Sequence, residues 1–232
     1  MAVIRTDKIT KTYEDNGVPV TALHEVTLSI EQGEFAAIVG PSGSGKTTLL
    51  NILGGLDKPT SGSVVVNERD VATMRAGELI GFRLHHIGFV FQAFNLIPVL
   101  TARENVEFIM LLQKRPKVER EARAEELLHS VGLDAEMDRR PSELSGGQQQ
   151  RVAVARALAS MPSYVLADEP TANLDSASAE NLLDIMERLN REHGMTFLFS
   201  THDPRVMKRA RRVITLEDGR VASDESVKEA VA

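Results

Sequence analysis

The chain has 232 residues, of which 42% are hydrophobic and 26% are charged, and its formal net charge at pH 7 is −6. This composition is typical of a globular protein, and the acidic balance argues against a surface that coats nucleic acid. The absence of cysteine excludes disulfides and thiolate zinc sites. There is neither an apolar signal-peptide core nor a run of ~18 apolar residues, so we expect a cytosolic chain or one held at a membrane by another protein.

Residues 3–30 alternate in the manner of an antiparallel β segment. Apolar runs at 3–4, 20–23 and 26–30 are interrupted by Glu-Asp-Asn-Gly at 14–17, which predicts a turn. Tyr13 stands just before this turn. Its ring could stack on a nucleobase, but a tyrosine packed on the sheet is the simpler interpretation of the local sequence.

Residues 39–50 are the most informative stretch of the chain. Gly-Pro-Ser-Gly-Ser-Gly-Lys-Thr at 40–47 matches the P-loop pattern, between a predicted buried strand at 35–39 and a predicted helix at 47–53. Glycines allow successive backbone N–H groups to point at one anion at a helix N-terminus. A phosphate-binding loop is predicted, with a plain glycine-rich turn as the alternative. The predicted phosphate-binding residues are Gly40, Ser42, Gly43, Ser44, Gly45, Lys46, Thr47 and Thr48.

The segment after the P-loop helix carries no predicted site. Residues 54–62 break regular structure, 64–67 form a short strand, and 70–86 form a loop and a helix. This helix ends in His85 and His86. Adjacent residues cannot place both rings on one helix face, which argues against a metal site.

Three side chains are predicted to meet at the terminal phosphate of a nucleotide. Lys46 supplies a mobile positive charge for the β- and γ-phosphates, and the hydroxyl of Thr47 can ligate Mg²⁺. Gln92 follows an apolar strand at 87–91. Polar groups at the carboxyl ends of parallel strands face the ligand crevice, so Gln92 is placed to reach a metal ion or a water molecule beside the γ-phosphate.

A block of helices is predicted to interrupt the α/β pattern at residues 93–159. A capping box at 101–104 opens a helix at 102–113, and a second amphipathic helix at 118–131 ends at Gly132. The apolar residues of the first helix are Val106, Ile109, Met110 and Leu112. We expect an inserted subdomain whose exposed apolar face docks a partner helix, with packing on the core as the alternative.

The sequence Leu-Ser-Gly-Gly-Gln at 144–148 predicts a second helix N-terminus suited to an anion. Ser145 can cap a helix that begins near Gly147 and continues over 148–159, and the glycines leave the helix end unobstructed. A simple capped helix is the alternative.

Two adjacent carboxylates follow the predicted buried strand at 164–167. Burying Asp168 and Glu169 is costly unless they meet a cation or water, and side chains alternate along a strand, so they cannot share one role. Asp168 suits the surroundings of the metal held by Thr47, and Glu169 suits a general base that polarises the attacking water.

The C-terminal part continues the α/β pattern. A helix is predicted at 176–193 and a strand at 196–200, after which His202 faces the crevice and could contact the γ-phosphate. A helix at 204–212 is predicted to present a solvated basic face, and a β-hairpin follows at 213–222 with a turn at Asp-Gly. The residues of the basic face are Lys208, Arg209, Arg211 and Arg212.

Taken together and in this order, these motifs resemble those of the ATP-binding-cassette (ABC) transporter ATPases over nearly the whole chain. The residues that carry the resemblance are the Walker A loop Gly40–Thr47, the Q-loop Gln92, the signature Leu144–Gln148, the Walker B strand Val165–Asp168 with Glu169, the D-loop Asn173–Asp175 and the switch His202. Tyr13 occupies the position of the family's adenine-stacking aromatic residue, which favours the stacking interpretation.

The resemblance implies an α/β fold of the P-loop NTPase (RecA-like) type. We expect a mostly parallel sheet flanked by helices, an N-terminal antiparallel β subdomain, and the helical subdomain at 93–159 inserted between core segments 1–92 and 160–232. The implied ligands are ATP and Mg²⁺, with Thr47, Gln92 and Asp168 at the metal. The implied catalytic residues are Glu169, His202, Lys46 and Gln92.

The resemblance also implies a homodimer in which two copies lie head to tail around ATP. The chain whose P-loop holds the ATP is not expected to bring its own signature to the γ-phosphate, so the signature of a second copy supplies that contact. The residues implied to reach the nucleotide of the partner copy are Ser145, Gly146, Gly147, Gln148 and Asp175.

Within the family, residues 87–98 and 54–57 are similar to those of lipoprotein-releasing (LolD-like) and macrolide-exporting (MacB-like) ATPases, whereas Ala172 stands where those relatives usually have glycine. The resemblance implies FtsX/MacB-like permease partners, a periplasmic adaptor in some systems, and a place on the cytoplasmic face of the inner membrane. An FtsE-like ATPase that transmits a signal through a permease-like partner remains the alternative. DNA- or ribosome-acting relatives carry insertions that are absent here.

Overall fold

The computed structural model describes residues 2–15 and 18–226, which form two sheets and the helices that pack on them. The strands are β1 (Ala2–Asp15), β2 (Val18–Glu31), β3 (Phe35–Val39), β4 (Ser61–Val66), β5 (Arg69–Asp70), β6 (Ile87–Val90), β7 (Tyr164–Asp168), β8 (Phe197–Ser200), β9 (Arg212–Glu217) and β10 (Arg220–Ser226). The helices are α1 (Lys46–Leu53), α2 (Ala76–His86), α3 (Ala102–Leu112), α4 (Lys117–Ser130), α5 (Gly146–Ala159), α6 (Ser176–His193) and α7 (Pro204–Arg209). In this described part of the chain, no helix combines the length and apolar character needed to cross a membrane.

The two sheets confirm the predicted fold class. The first is antiparallel, with strand order β2-β1-β4-β5, and it contains the N-terminal segment. The second has the order β10-β9-β3-β8-β7-β6 and is parallel except for β10, which pairs with β9 as an antiparallel hairpin. The polar residues that follow β3, β6, β7 and β8 therefore emerge at one edge of the parallel sheet.

The parallel sheet is buried on both faces, and β3 shows how the sequence achieves this. Phe35, Ala37 and Val39 face a cluster that includes α3, α4, α5 and α6. Ala36 and Ile38 face the other cluster, which contains α1 and the antiparallel sheet. Because successive side chains of a strand point to opposite faces, a continuous apolar run is what a strand covered on both sides requires.

The helices of the predicted inserted block form where their caps indicate. Thr101 accepts the N–H of Glu104 at 3.2 Å and Glu104 returns a bond to the Thr101 N–H at 2.8 Å, which confirms the capping box. Val106 and Met110 are buried, whereas Leu112 is 49% exposed and lies outside the packed face. Helices α3 and α4 both pack against α5, which itself contacts β6. The boundaries of a separate subdomain at 93–159 stay a prediction.

Three local predictions need correction or fall outside the described residues. Strand β4 begins at Ser61, earlier than the predicted 64, because Ser61 and Ser63 pair with β1. Helix α7 ends at Arg209, not at 212, because Ala210 is buried in an extended conformation that leads into β9. The predicted turn at 14–17 includes Asn16 and Gly17, which lie outside the described residues.

The predicted solvated basic face of the last helix is also wrong for three of its four members. Arg209 forms ion pairs with carboxylates of α6, and Arg211 donates to Asn190. Arg212 belongs to β9 and pairs with Glu34 at 2.9 Å and with Asp224 at 2.7 Å. These arginines hold elements together, so they form no free cationic surface.

Candidate active site

An open cleft of about 600 Å³ lies at the carboxyl edge of the parallel sheet. It brings together the P-loop and the polar residues that follow strands β6, β7 and β8, as the sequence predicts. The lining residues are Ala22, Gly40, Pro41, Ser42, Gly43, Gly45, Lys46, Thr47, Thr48, Gln92, Glu169, Ser200 and His202. Ala22 and Ser200 were not predicted.

The glycines of the loop are required by its tight course. A Cβ on Gly40 would lie 2.1 Å from the carbonyl oxygen of Leu216, and a Cβ on Gly45 would lie 2.5 Å from that of Ala22. Gly45 has a φ of 99° and precedes α1 without any side-chain cap on the helix. The first N–H groups of α1 therefore face the cleft without a competing side chain, as an anion site requires.

The ammonium group of Lys46 is held by the loop itself. It donates to the carbonyl oxygens of Gly40 at 2.8 Å and of Pro41 at 2.9 Å. Both acceptors are neutral, and a charged phosphate oxygen forms a stronger bond with an ammonium group. The side chain is thus pre-positioned at the loop and can transfer its donors to an anion.

The two carboxylates after β7 differ in environment. Asp168 Oδ1 is buried and has no hydrogen-bond partner, as is also true of Ser200 Oγ. Burial raises the pKa of the Asp168 carboxyl and the charge of Glu169 adds to this, while the side chains of Ser200, Thr47 and Lys46 act in the opposite direction. Glu169 leaves the strand with a φ of 45°, which turns its side chain into the cleft.

Both carboxylate oxygens of Glu169 have partners at the end of β8. Oε1 lies 2.7 Å from His202 Nδ1, and Oε2 accepts the Thr201 hydroxyl at 3.1 Å. The Thr201 Oγ1 also accepts the N–H of Asp203 at 3.0 Å, so its hydrogen is directed to Glu169. Thr201 is fully buried. Thr201 was not among the predicted site residues, although its position beside His202 at the end of a strand indicates a place in the cleft.

A second missed residue is Gln150, in the helix that follows the signature. It is fully buried and donates from Nε2 to the carbonyl oxygens of Phe91 at 3.2 Å and Pro170 at 2.8 Å. These carbonyls directly precede Gln92 and directly follow Glu169. The only sequence signal for Gln150 was a polar residue on the buried face of an apolar helix.

The signature residues do not line this cleft. Ser145 caps α5, accepting the Gln148 N–H at 3.3 Å and donating its own N–H to Gln148 Oε1 at 2.8 Å, which confirms the predicted cap. A Cβ on Gly147 would lie 2.8 Å from Ser178 Oγ, so this glycine allows α5 to approach the first turn of α6. Asp175 caps that turn by accepting the Ser178 N–H at 2.9 Å and is likewise outside the cleft.

Tyr13 stands beside the cleft with 39% of its surface exposed. Its hydroxyl donates to Asp57 Oδ2 at 2.8 Å. Burial and this contact raise the pKa of the Tyr13 phenol, whereas the hydroxyl of Thr48, which lines the cleft, lowers it. Val20 lies opposite Tyr13 in the β1–β2 ladder and is 51% exposed.

Comparisons with known proteins agree with this geometry. The family model described as ABC transporter matches residues 23–172. The lipoprotein-releasing system ATP-binding protein LolD 1 of Rhodopseudomonas palustris is 48% identical over 95% of this chain and 98% of its own length. The macrolide export ATP-binding/permease protein MacB of Brucella melitensis is 47% identical over 96% of this chain, which spans only 34% of that relative.

A solved structure of similar shape adds a functional state. It is the dimeric structure of a post-hydrolysis state of the ATP-binding cassette MJ0796 bound to ADP and Pi, with a TM-score of 0.89 and 45% sequence identity. The match covers 97% of this chain and 99% of that chain.

Proposed function

The chain belongs to the ABC transporter family, and we propose that two copies of it, placed head to tail around ATP, drive a permease embedded in the membrane. It is an ATP-binding subunit and hydrolyses ATP. The observation that carries the proposed arrangement is the separation of the signature from the cleft. The cleft holds Lys46 and Glu169, while Ser145 caps an exposed helix end outside it.

The P-loop is assigned to the phosphates of ATP. The uncapped N-terminus of α1 and the backbone of residues 40–45 donate to the β- and γ-phosphates, and Lys46 exchanges its two carbonyl acceptors for phosphate oxygens. Tyr13 is assigned to stacking on the adenine ring, since its ring is exposed beside Thr48 at the rim of the cleft.

The residues at the carboxyl edge of the sheet fit Mg²⁺. Thr47 and Gln92 offer a hydroxyl and an amide oxygen, and a cation would compensate the burial of Asp168 Oδ1, which has no hydrogen-bond partner. Among the described residues there is no cluster of three or more His, Cys, Asp or Glu that could hold a metal. Mg²⁺ accepts such a sparse site because it keeps water and substrate phosphates as ligands, and when bound it neutralises charge on the phosphates.

Glu169 is assigned as the general base. The contacts from His202 and Thr201 fix the carboxylate at the cleft wall, where a water molecule in line with the γ-phosphate would meet Oε1. The proton of the attacking water passes to Oε1, beside which His202 Nδ1 lies at 2.7 Å. His202 thereby holds the base in place and lies near the γ-phosphate.

The signature is assigned to the nucleotide of the partner copy. Residues 145–148 form a helix end that lies outside the phosphate-binding cleft of the described chain. The dimeric form of the similar cassette MJ0796 supports this arrangement. Asp175 lies at the same surface through its contact with Ser178, so it is assigned to the same interface.

The relatives suggest the type of membrane partner. LolD 1 is named as part of a lipoprotein-releasing system, and MacB as a fused ATP-binding and permease protein for macrolide export. We assign this chain to the cytoplasmic face of a membrane, bound to a MacB-like permease that extracts lipoproteins or exports small molecules. The net charge of −6 argues against nucleic acid as a partner.

A mixing experiment tests the shared site. Lys46→Ala damages the P-loop and Ser145→Arg blocks the signature, so each variant alone has two defective sites and should lose ATPase activity. In a mixed dimer, the P-loop of the second variant meets the signature of the first and makes one intact site. Mixing equal amounts should therefore restore up to about half of wild-type activity, because only mixed pairs can dimerise around ATP and each mixed dimer has one intact site of two.

The same mixture is also examined by size-exclusion chromatography, with Glu169→Gln added to both variants to retain ATP. The expected result is an ATP-dependent dimer in the mixture and monomers in each variant alone. Monomers in the mixture would contradict the shared site. Ser145→Arg should still bind ATP as a monomer. Co-purification of the chain from membranes with a permease tests the proposed partner, and its recovery without one would reject that part.

A further inference from the structure

Three side chains at the rim of the cleft form a unit to which the hydrolytic mechanism gives no role. Lys11 Nζ donates to Asp57 Oδ1 at 2.6 Å and to the carbonyl oxygen of Lys58 at 2.8 Å. The Tyr13 hydroxyl donates to Asp57 Oδ2 at 2.8 Å. The Lys11 ammonium also lies 4.8 Å from the centroid of the Tyr13 ring. Each side chain therefore contacts both of the others, and together they fix the position of the ring.

The arrangement occupies one face of the Tyr13 ring. Lys11 and Tyr13 are two residues apart on β1 and so project from the same side of the sheet. The Lys11 side chain is 13% exposed, whereas Tyr13 as a whole is 39% exposed. An ammonium group within about 6 Å of a ring centroid is attracted to the ring face. A planar ligand can therefore stack only on the face that Lys11 leaves free.

The carboxylate that holds the ring is carried by the phosphate-binding element. Asp57 lies in the loop after α1, the helix whose N-terminus is the P-loop. The N–H groups of Leu56 and Asp57 both donate to the carbonyl oxygen of Asn51, in the last turns of α1. One short element thus presents the phosphate-binding amides at one end and fixes the aromatic ring from the other.

The charge states of the unit support permanent contacts. Burial opposes ionisation of Asp57, but the hydrogen bonds from Lys11 and Tyr13 prevail and lower the pKa of its carboxyl. Burial, together with Asp57, raises the pKa of the Tyr13 phenol. The carboxylate stays ionised and the phenol stays protonated near neutral pH, which is the combination that these hydrogen bonds need.

We propose that Lys11 and Asp57 are positioning residues that hold the Tyr13 ring, before ATP arrives, with one face presented to the adenine base. The proposal rests on the assignment of Tyr13 to base stacking. Ordering a side chain on binding lowers affinity, so a ring that is already fixed gives tighter binding without a new contact. Lys11 and Asp57 contact the Tyr13 side chain, and neither lines the phosphate-binding cleft. Their effect should therefore depend on the presence of a base in the ligand.

Binding of two ligands to the full chain tests this. ATP and inorganic tripolyphosphate are titrated by calorimetry in the presence of Mg²⁺ against the wild type, Lys11→Met and Asp57→Ala. Each substitution should weaken ATP binding by about three- to tenfold, the cost of ordering one side chain, and should leave tripolyphosphate binding unchanged. A general loss of structure would weaken the binding of both ligands. Lys58→Met is the matched control, because the Lys58 ammonium donates to the carbonyl oxygen of Met74 and not to Tyr13 or Asp57 within the described residues, so both affinities should stay unchanged.

The same measurements in a Tyr13→Ala background separate the two assignments. If Lys11 acts through the ring, Lys11→Met should have no further effect on ATP binding once the ring is absent. A further loss in that background, or an equal loss for tripolyphosphate, would overturn the positioning role. If Tyr13→Ala weakens ATP binding selectively while Lys11→Met and Asp57→Ala do not, only the positioning role fails. If Tyr13→Ala has no selective effect, the stacking assignment itself is wrong.

Discussion

The chain contains two helix N-termini that are assigned to phosphate, and they are built differently. Helix α1 begins after Gly45 with no side-chain cap, and its first turn opens into the cleft. Helix α5 begins after Ser145, which together with Gln148 forms a closed capping box outside the cleft. The first helix end is open to a ligand within its own chain. At the second, the capping box satisfies the N–H groups of Ser145 and Gln148, and the helix end lies outside the cleft of its own chain.

This difference explains how one chain can carry two phosphate-binding helix ends, one open to a ligand in the monomer and one that is capped until a partner supplies the nucleotide. The loop before the uncapped end of α1 packs closely on its neighbours, since at Gly40 and Gly45 there is no room for a Cβ beside the carbonyl oxygens of Leu216 and Ala22. A capped helix end is stable in water, so the signature helix is formed before a partner copy binds. Contacts within the chain join the two halves, because Gln150 of α5 is bonded to the backbone beside Gln92 and Glu169.

Blocking hydrolysis should hold the two helix ends together around ATP, with the largest expected effect on turnover. Glu169→Gln removes the proton acceptor but keeps the side-chain shape, so ATPase activity should fall by about 10²- to 10⁴-fold, the usual contribution of a general base. ATP binding should remain, and ATP should convert the variant to a dimer in size-exclusion chromatography.

The matched control for this substitution is Glu192→Gln, at an exposed position of α6 far along the helix from the cleft. It should hydrolyse ATP at the wild-type rate and form no lasting dimer. Wild-type turnover in Glu169→Gln would reject the general base. Lost turnover with a persistent monomer would instead show that ATP does not bridge the two helix ends.

Removing the internal link between the two halves should lower stability. Gln150→Leu keeps the volume but leaves the carbonyl oxygens of Phe91 and Pro170 without their shared Nε2 donor. Because it also removes the buried Gln150 Oε1, which has no partner, the net cost should be about 1–2 kcal/mol in the free energy of unfolding. Urea denaturation measures this. Gln149→Leu is the control, because Gln149 is only half-buried and donates to the neighbouring carbonyl of Leu144. Equal losses in the two variants would mean that Gln150 provides no special link.

The two halves also differ in how far the sequence reveals them. The P-loop, the capping box at Thr101, the helix cap at Ser145 and the two-residue turn at Asp218 follow from neighbouring residues, so pattern reasoning predicted them. The end of α7 was missed because burial of Ala210 and pairing of β9 override the helix preference of the residues around it.

Contacts between distant parts of the chain were beyond pattern reasoning. Gln150 and Phe91 are 59 residues apart, and Tyr13 and Asp57 are 44 apart. A polar residue in an apolar helix indicates that a partner exists, but only the packing of α5 on the edge of the sheet identifies which carbonyl it meets. Thr201 is a similar case, since its role depends on how Glu169 turns after β7.

The glycines of the two helix ends have different roles: those of the P-loop allow its tight course, and Gly147 allows α5 to approach α6. A substitution at Gly147 with a smaller expected effect on stability tests the second role. Gly147→Ala places a Cβ 2.8 Å from Ser178 Oγ, so α5 must shift away from α6, at about 1–2 kcal/mol of the free energy of unfolding. Gly77→Ala in α2 is the matched control, because no atom lies within 4 Å of its added Cβ. That variant should gain about 0.5–1 kcal/mol from helix propensity. In a Ser178→Gly background, which removes the opposing atoms, Gly147→Ala should cost much less than it does in the wild type, and an equal cost in both backgrounds would contradict a steric cause.

The smallest expected effect concerns the charges that hold the cleft side of the chain together. Thr171 Oγ1, in the loop after Glu169, donates to Asp203 Oδ2 at 2.6 Å, and Arg205 donates to the same carboxylate. Burial opposes ionisation, but these bonds lower the pKa of Asp203 to about 2, below its usual 3.8. A lowered pKa stabilises the fold above the unfolded value and loses this contribution as pH falls from about 4 toward 2. Asp203→Asn should therefore cost about 1 kcal/mol in the free energy of unfolding at neutral pH, because a partly solvated ion pair contributes less than the full pKa shift implies, and it should cost nothing near pH 2.

Urea denaturation against pH measures this, with Asp138→Asn, whose carboxylate is 84% exposed, as the control. A difference between wild type and Asp203→Asn that persists at pH 2 would mean that shape, and not the ionised carboxylate, joins the two loops.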